Sequence, residues 1–212
     1  MNYASLKLTA VAAAVLLMSG CAATQMAIEH KNLDVQSKMS STIFLKPIPS
    51  AEHTIYVQIK NTSDKNIDIA AVTKGIDDML VGKGYTIVPF DQAHYLLQAN
   101  ILQIGKMDPS AAAYALNAGF GGAVAGAVVA GTTGSGGQGM AGAALLGGVA
   151  DIVANSLVKN VTYSAITDIQ ITEGAGLYKT RMLSTANQVN LAFADAEPKL
   201  QGQIIKEIAG IF

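Results

Sequence analysis

The feature that most constrains this chain of 212 residues is a long internal segment without charged side chains, bounded by Asp108 and Asp151. Glycine and alanine dominate the segment. Two apolar arms, Ser110–Gly131 and Met140–Val158, flank a polar, glycine-dense turn. Each arm has about the length of 20 residues that a helix needs to cross a hydrocarbon core. The pattern predicts an apolar helical hairpin over residues 109–158, inserted into an otherwise ordinary chain.

The arms carry many small residues and few strongly apolar ones. Small residues at every fourth position allow close helix packing in lipid; they are Gly122, Gly126, Ala130, Ala143 and Gly147. Weak hydrophobicity would let the chain cross the inner membrane before it reaches the outer one. Asp151 is expected to face a bundle interior, an aqueous lumen or the interface. We expect insertion into the outer membrane; a hairpin buried inside an oligomer and a flexible linker are the alternatives.

The turn between the arms contains a literal dinucleotide-binding fingerprint, Gly-x-Gly-x-x-Gly. That fingerprint needs a strand before it and a helix packed on it. An alanine-rich arm precedes it here, so the sequence favours a simple turn. Its residues form the candidate exposed tip, which consists of Gly134, Ser135, Gly136, Gly137, Gln138 and Gly139.

Cys21 is the only cysteine of the chain, and it follows a short apolar stretch. Lys7, the run Leu8–Leu17 and the small residues before Cys21 match a bacterial signal peptide. We predict a lipoprotein signal over residues 1–20, with a lipid such as palmitate attached to Cys21; a plain secretory signal is the alternative. This covalent lipid is the one cofactor that the sequence predicts.

Alternating and helical patterns flank the hairpin. Residues 21–40 are predicted to be a tether or a helix (Met26–Met39). Residues 41–108 and 159–212 are predicted to be two halves of one soluble domain whose strands pair across the insert. The fold class expected is therefore α+β, a single domain of strands and helices split by the hairpin. The predicted strands are Thr42–Lys46, Thr54–Lys60, Tyr85–Pro89, Tyr95–Met107, Val161–Ile171 and Leu177–Ser184, and the predicted helices are Ile67–Val81 and Pro198–Ile208.

Catalytic chemistry has little support in the sequence. The formal net charge is −1, which does not suggest nucleic acid as a partner. The three histidines, His30, His53 and His94, do not have the spacing of metal ligands. We predict no enzyme activity, no catalytic residue, no metal and no small-molecule substrate.

A set of segments keeps its order and spacing over nearly the whole mature chain. The segments are Met39–Pro47, Val57–Lys65, Lys83–Tyr85, Tyr95 with Gln98–Leu102, Lys106–Asp108, Val161–Tyr163, Ile166–Ile171, Tyr178–Arg181, Ala186–Asn187 with Val189–Leu191, and the end helix that contains Pro198. In these segments the chain resembles the TraT-type outer-membrane lipoproteins, the surface-exclusion and complement-resistance proteins of conjugative plasmids. The link Thr172–Leu177 is a departure, because plasmid members of the family carry a longer polar insert there.

The resemblance implies a homo-oligomer that is lipid-anchored at the outer membrane of a Gram-negative envelope. It implies a function in hindering redundant conjugative mating and, in some members, complement attack. The implied partners are outer-membrane lipid, further copies of the chain, and the conjugative pilus or mating-pair proteins of donor cells. An oligomeric scaffold or conduit of a trans-envelope system is the alternative, with Asp151 lining the lumen. An envelope enzyme is the third and weakest hypothesis.

Overall fold

A computed structural model describes residues 29–118 and 159–212, and a six-stranded half-barrel sheet organises them. The strand order is β1-β6-β5-β4-β2-β3. The strands are β1 (Asp34–Met39), β2 (Thr54–Asn61), β3 (Thr86–Ile87), β4 (Tyr95–Met107), β5 (Asn160–Glu173) and β6 (Gly176–Val189). The helices are α1 (Ile69–Gly82), α2 (Pro109–Ala118) and α3 (Phe193–Ala209). One-turn 3-10 helices lie at Ser50–Glu52 and Phe90–Gln92.

Strands from the two sides of the charge-free segment pair directly with each other. β4 and β5 are antiparallel, with Tyr95 opposite Glu173 and Met107 opposite Thr162. β5 and β6 form a long antiparallel hairpin, whereas β2 and β4 are parallel. This register joins the early and late parts of the chain into one sheet, as the alternating patterns suggested.

Helix α1 has clear sequence signals at both ends. The Asp68 side chain accepts a hydrogen bond from the Ala71 N–H at 2.9 Å and so caps the first turn. At the other end, Gly84 adopts a φ of 90°, and the Tyr85 N–H bonds to the Leu80 carbonyl at 3.0 Å. Leu80 and Tyr85 are both buried, which completes a Schellman motif with its apolar contact.

Helices α1 and α3 cover one side of the sheet and form the main core with it. Their buried residues recur every three or four positions, as an amphipathic helix requires. The two helices approach closely at Gly75, where an added Cβ would lie 2.6 Å from Ile205 Cδ1. The buried stripes are Val72, Ile76 and Leu80 on α1 and Ala196, Leu200, Ile204 and Ile208 on α3.

The N-terminal part of the described chain differs from the sequence prediction. Asp34–Met39, predicted as tether or helix, is strand β1 and pairs with the open edge of β6. Thr42–Lys46, predicted as a strand, lies outside all strands and helices. Its alternation has another cause: Ile43 and Leu45 pack on the core while Phe44 is 81% exposed.

Two further boundaries differ. The strand predicted at Tyr85–Pro89 is reduced to the two residues of β3. The last helix begins at Phe193, so Pro198 lies inside it and not in its first turn.

The predicted fold class is wrong in its inserted apolar hairpin. The start of the predicted first arm is α2, which the structure describes as far as Ala118 and which packs against the sheet. Its buried Ala112 and Ala115 contact a cluster that includes Ile166 and Leu183. Small apolar residues therefore pack a helix against a sheet here. Helices that pack against each other in lipid use the same small residues. Across the described ranges, no helix combines the length and the apolarity that crossing a membrane demands.

The fully buried Tyr95 links the segment Thr42–Lys46 to the core. Its hydroxyl donates to the Lys46 carbonyl at 3.2 Å, and its ring packs edge-on against Phe212. Burial raises the pKa of Tyr95 to about 12, and the negative charge of Glu173 is the second cause of this increase. The folded state therefore holds this proton more tightly than the unfolded chain.

We expect the free energy of unfolding to depend on Tyr95 at alkaline pH. A raised pKa gives stability that is complete below the ordinary value of 10.0 and lost as the pH rises towards about 12. Tyr95→Phe should weaken the protein at neutral pH and make its stability fall less steeply over that range. Urea unfolding between pH 8 and pH 12 measures this, with the exposed Tyr114→Phe as control. An unchanged slope in Tyr95→Phe would contradict the assignment.

Two buried threonines on the side of the sheet that faces α1 and α3 differ in their hydrogen bonds. Thr167 is fully buried, and among the described residues its hydroxyl has no hydrogen-bond partner. The Thr180 hydroxyl donates to the Ser41 carbonyl at 2.9 Å and accepts from the Ser41 N–H at 3.2 Å. The first hydroxyl therefore costs stability, and the second holds the end of β1 against β6.

Replacing each threonine by the isosteric valine should shift stability in opposite directions. Thr167→Val removes an unpaired buried hydroxyl and should raise the free energy of unfolding by about 1 kcal/mol. Thr180→Val leaves Ser41 groups unpaired and should lower it by about 1–2 kcal/mol. Urea denaturation of both variants tests the pair. Equal destabilisation by both variants would show that Thr167 has a partner.

Candidate functional site

All the site residues predicted from the sequence lie outside the described ranges, so their roles stay predictions. They are the lipidation residue Cys21, the packing residues Gly122, Gly126, Ala130, Ala143, Gly147 and Asp151, and the tip residues Gly134, Ser135, Gly136, Gly137, Gln138 and Gly139. The described residues instead present two other features, an open sheet surface and a cluster at the β5–β6 turn.

Among the described residues, helix α2 covers one end of the sheet side opposite α1 and α3, through an apolar cluster that includes Met107, Ile166 and Leu183. Next to this cluster the surface is polar, and within residues 29–118 and 159–212 it forms a groove of about 620 Å³. We call this surface the polar face and define it by two rows of aligned side chains: Gln58, Gln98, Gln170 and Lys179 in the first, and Lys60, Asn100, Asp168 and Arg181 in the second.

The first row is a ladder of side-chain amides across three strands. Gln98 Nε2 donates to Gln58 Oε1 at 2.9 Å, and Gln170 Nε2 donates to Gln98 Oε1 at 3.2 Å. Each glutamine amide offers two N–H donors and an oxygen with two lone pairs, so the ladder leaves part of this capacity unused. The ladder thus holds three amides in place while they can still bond to a molecule in the groove.

The second row contains an ion pair. Arg181 Nη2 donates to Asp168 Oδ2 at 2.8 Å, and Arg181 Nε donates to Asp168 Oδ1. This bidentate contact raises the pKa of Arg181 further and fixes both side chains. Because Asp168 offsets Arg181, the net charge of the polar face comes from Lys60 and Lys179. Neither lysine has an ion-pair partner among residues 29–118 and 159–212.

Two aromatic rings lie at the Gln58 end of the polar face. Tyr56 precedes Gln58 by two residues on the same strand and therefore points to the same side of the sheet. Its ring meets Phe90 edge-on, with 5.7 Å between ring centroids. Phe90 is 61% exposed, so an accessible apolar ring lies beyond Gln58, outside the residues that line the groove.

The second feature is a cluster of polar side chains at the base of the β5–β6 turn. Glu173 accepts a hydrogen bond from the Tyr178 hydroxyl at 3.0 Å, which raises the pKa of Tyr178. His94 lies between two glutamates, with Nδ1 3.5 Å from Glu52 and Nε2 3.8 Å from Glu173. In the described part of the chain, no group of three or more His, Cys, Asp or Glu side chains is placed to hold a metal ion.

The turn above this cluster is as short as a β-hairpin allows. Glu173 pairs with Gly176, so only Gly174 and Ala175 connect the strands. Gly174 has a φ of 54°, a left-handed conformation that favours glycine. The predicted short link at Thr172–Leu177 is therefore a tight turn between two long strands.

Sequence reasoning missed the polar face because that surface depends on strand register. Alternation shows that Gln58 and Lys60 share a side of β2, and that Gln98 and Asn100 share a side of β4. It does not show that the two strands are neighbours in register. The polar face exists only after β2, β4, β5 and β6 are aligned.

Comparison with solved structures adds no argument. The chain is similar to the PelC dodecamer from Paraburkholderia phytofirmans, with 7% identity over 84% of this chain and 98% of that one. The TM-score is 0.39, which is too low to support a conclusion about fold or function.

Comparison with known sequences is decisive about the family. The family model described as Enterobacterial TraT complement resistance protein matches residues 32–177 and 175–212. A TraT complement resistance protein of Escherichia coli is 40% identical, covering 99% of this chain and 98% of that protein. A second, from Escherichia coli strain K12, is 37% identical over 100% of this chain and 99% of its own length. A relative from Wigglesworthia glossinidia brevipalpis is 25% identical over 91% of this chain and 90% of its own.

The alignments also bear on the β5–β6 turn. The first extends over 247 positions although this chain has 212 residues, so at least 35 positions have no counterpart here. The family match divides at residues 175–177, which lie at this turn. The division of the family match supports a longer segment of the relatives at this turn. The chain belongs to the TraT complement resistance protein family.

Proposed function

We propose that this protein is a lipid-anchored outer-membrane protein whose copies assemble into a homo-oligomer that excludes redundant conjugative mating. The observation that carries the proposal is the family match over nearly the whole chain. The relatives are named for complement resistance, and we propose that second activity for this chain as well. Both activities are obstruction by contact and need no catalytic residue.

The lipid anchor at Cys21 would hold the assembly at the membrane. A single acyl chain gives only reversible membrane binding, whereas two or more give stable anchoring. A lipoprotein cysteine that carries several acyl chains, palmitate among them, therefore places the domain permanently at the surface it protects.

Assembly into an oligomer needs apolar contact area outside the core. Several large apolar side chains of the described residues are exposed, and such side chains commonly mark contact surfaces when they are grouped. They are Phe44, Met79, Val81, Ile87, Phe90, Tyr114 and Leu177. We propose that contacts between copies use part of this set.

Recipient cells that express the protein should receive conjugative plasmids less often than cells without it. Cys21→Ala should abolish this protection, because the unlipidated chain is released from the membrane. Transfer frequencies from donors that carry several plasmid types measure the effect, and survival in serum measures complement resistance. Unchanged transfer with every donor, while the protein is surface-exposed, would refute the exclusion proposal.

The β5–β6 turn is our candidate for the determinant of donor specificity. Replacing Gly174 and Ala175 by the longer segment of an Escherichia coli relative should shift exclusion towards the donors that the relative excludes. The fold should tolerate the graft, because each doubling of loop length costs only about 0.6 kcal/mol in closure entropy. A glycine-serine segment of equal length is the matched control.

Transfer frequencies against both donor types measure the graft. The grafted protein should gain exclusion of the relative's donors, whereas the control should not. If both proteins reach the surface and neither changes its donor range, the turn does not determine specificity.

A further inference from the structure

We propose that the polar face binds an acidic oligosaccharide, a short chain of sugars that carries carboxylate groups. The site is the groove formed by the amide ladder and the adjoining row of charged side chains. The inference is independent of mating exclusion, because it depends only on side chains within residues 40–181 that the structure describes.

The groove is organised before any ligand arrives. An antiparallel sheet commonly turns one side to water and carries polar side chains there. Here Gln98 bonds to both neighbouring glutamines, and Arg181 is held by two contacts to Asp168. Side chains that are already ordered lose little conformational entropy on binding, which favours recognition of a weakly held polar ligand.

The shape and hydrogen-bonding pattern of the groove suit a sugar chain. Each row spans four neighbouring strands, which is roughly 14 Å at a strand spacing of about 4.8 Å. Sugar hydroxyls both donate and accept hydrogen bonds. They can therefore pair with the N–H groups and oxygen lone pairs that the ladder leaves unused on Gln58, Gln98 and Gln170. The exposed ring of Phe90, beside Tyr56, offers an apolar surface to the C–H face of a sugar ring that extends beyond Gln58.

An extended peptide fits this surface less well. Peptides that bind sheets commonly add a strand at a free edge, where backbone groups are unpaired. The edges of this sheet are β1 and β3, whereas the polar face lies on β2, β4, β5 and β6. The surface also consists of amides and charges rather than the apolar pockets that hold peptide side chains.

The charges of the groove select an acidic ligand. Arg181 and Asp168 offset each other, so Lys60 and Lys179 give the polar face a net positive charge. The two lysines stand at diagonally opposite corners, in different rows and on strands β2 and β6. Two separated single cations suit separated carboxylates, whereas a phosphate is usually bound by clustered donors. Uronic acid residues within a sugar chain provide that spacing.

Isothermal titration of the full-length, detergent-solubilised protein tests the proposal. The probes are a tetramer of galacturonic acid, the neutral galactose tetramer and a tetraglutamate peptide. We expect the galacturonate tetramer to bind at least tenfold more tightly than either of the others. Equal binding of tetraglutamate would identify an acidic peptide as the partner, and no binding of galacturonate at millimolar concentration would refute the site.

Matched variants locate the binding. Lys60→Met with Lys179→Met removes both charges and keeps most of each unbranched side chain, so affinity for galacturonate should fall at least tenfold. Gln98→Met breaks both bonds of the amide ladder and should weaken binding similarly. Lys199→Met, on an exposed position of α3, is the charge control and should bind like the original protein. Circular dichroism confirms that each variant is folded; equal loss in Lys199→Met would show non-specific attraction and overturn the proposal.

Discussion

The antiparallel pairing of β4 with β5 is the interaction on which the rest of this structure depends. It joins Tyr95–Met107 to Asn160–Glu173, two strands that a long charge-free segment separates in sequence. Helices α1 and α3 have a common surface to cover only because these strands lie side by side. The loop that must close before this pairing forms makes the contact entropically costly, and the long run of paired residues offsets that cost.

The same register creates the polar face on the opposite side. Gln98 lies opposite Gln170, and Asn100 opposite Asp168, because β4 and β5 are aligned in this way. A slip of one residue would turn every side chain of a strand to the other side of the sheet. Core and polar face are therefore two consequences of one alignment. A change that weakens the β4–β5 pairing would disturb both surfaces together.

Local sequence patterns predicted helices and strands well where only one kind of structure produces the pattern. Strand β4 has the predicted bounds, and α1 differs by a residue or two at its ends because a cap and a Schellman motif mark them. The alternation of Thr42–Lys46 misled, because a segment that rests on the core also alternates. The small-residue pattern misled for a similar reason: in α2 the alanines Ala112 and Ala115 pack against a sheet, although small residues also pack helices in lipid.

The sequence by itself determined the family, which 40% identity over 99% of the chain makes certain, and the side of each strand on which its apolar residues lie. The tertiary structure alone decided the strand order, the cover of one sheet surface by α1 and α3, and the alignment of three glutamines with an arginine–aspartate pair. The physical reason is that side-chain alternation is a local property of a strand, whereas register is set by contacts between residues far apart in sequence.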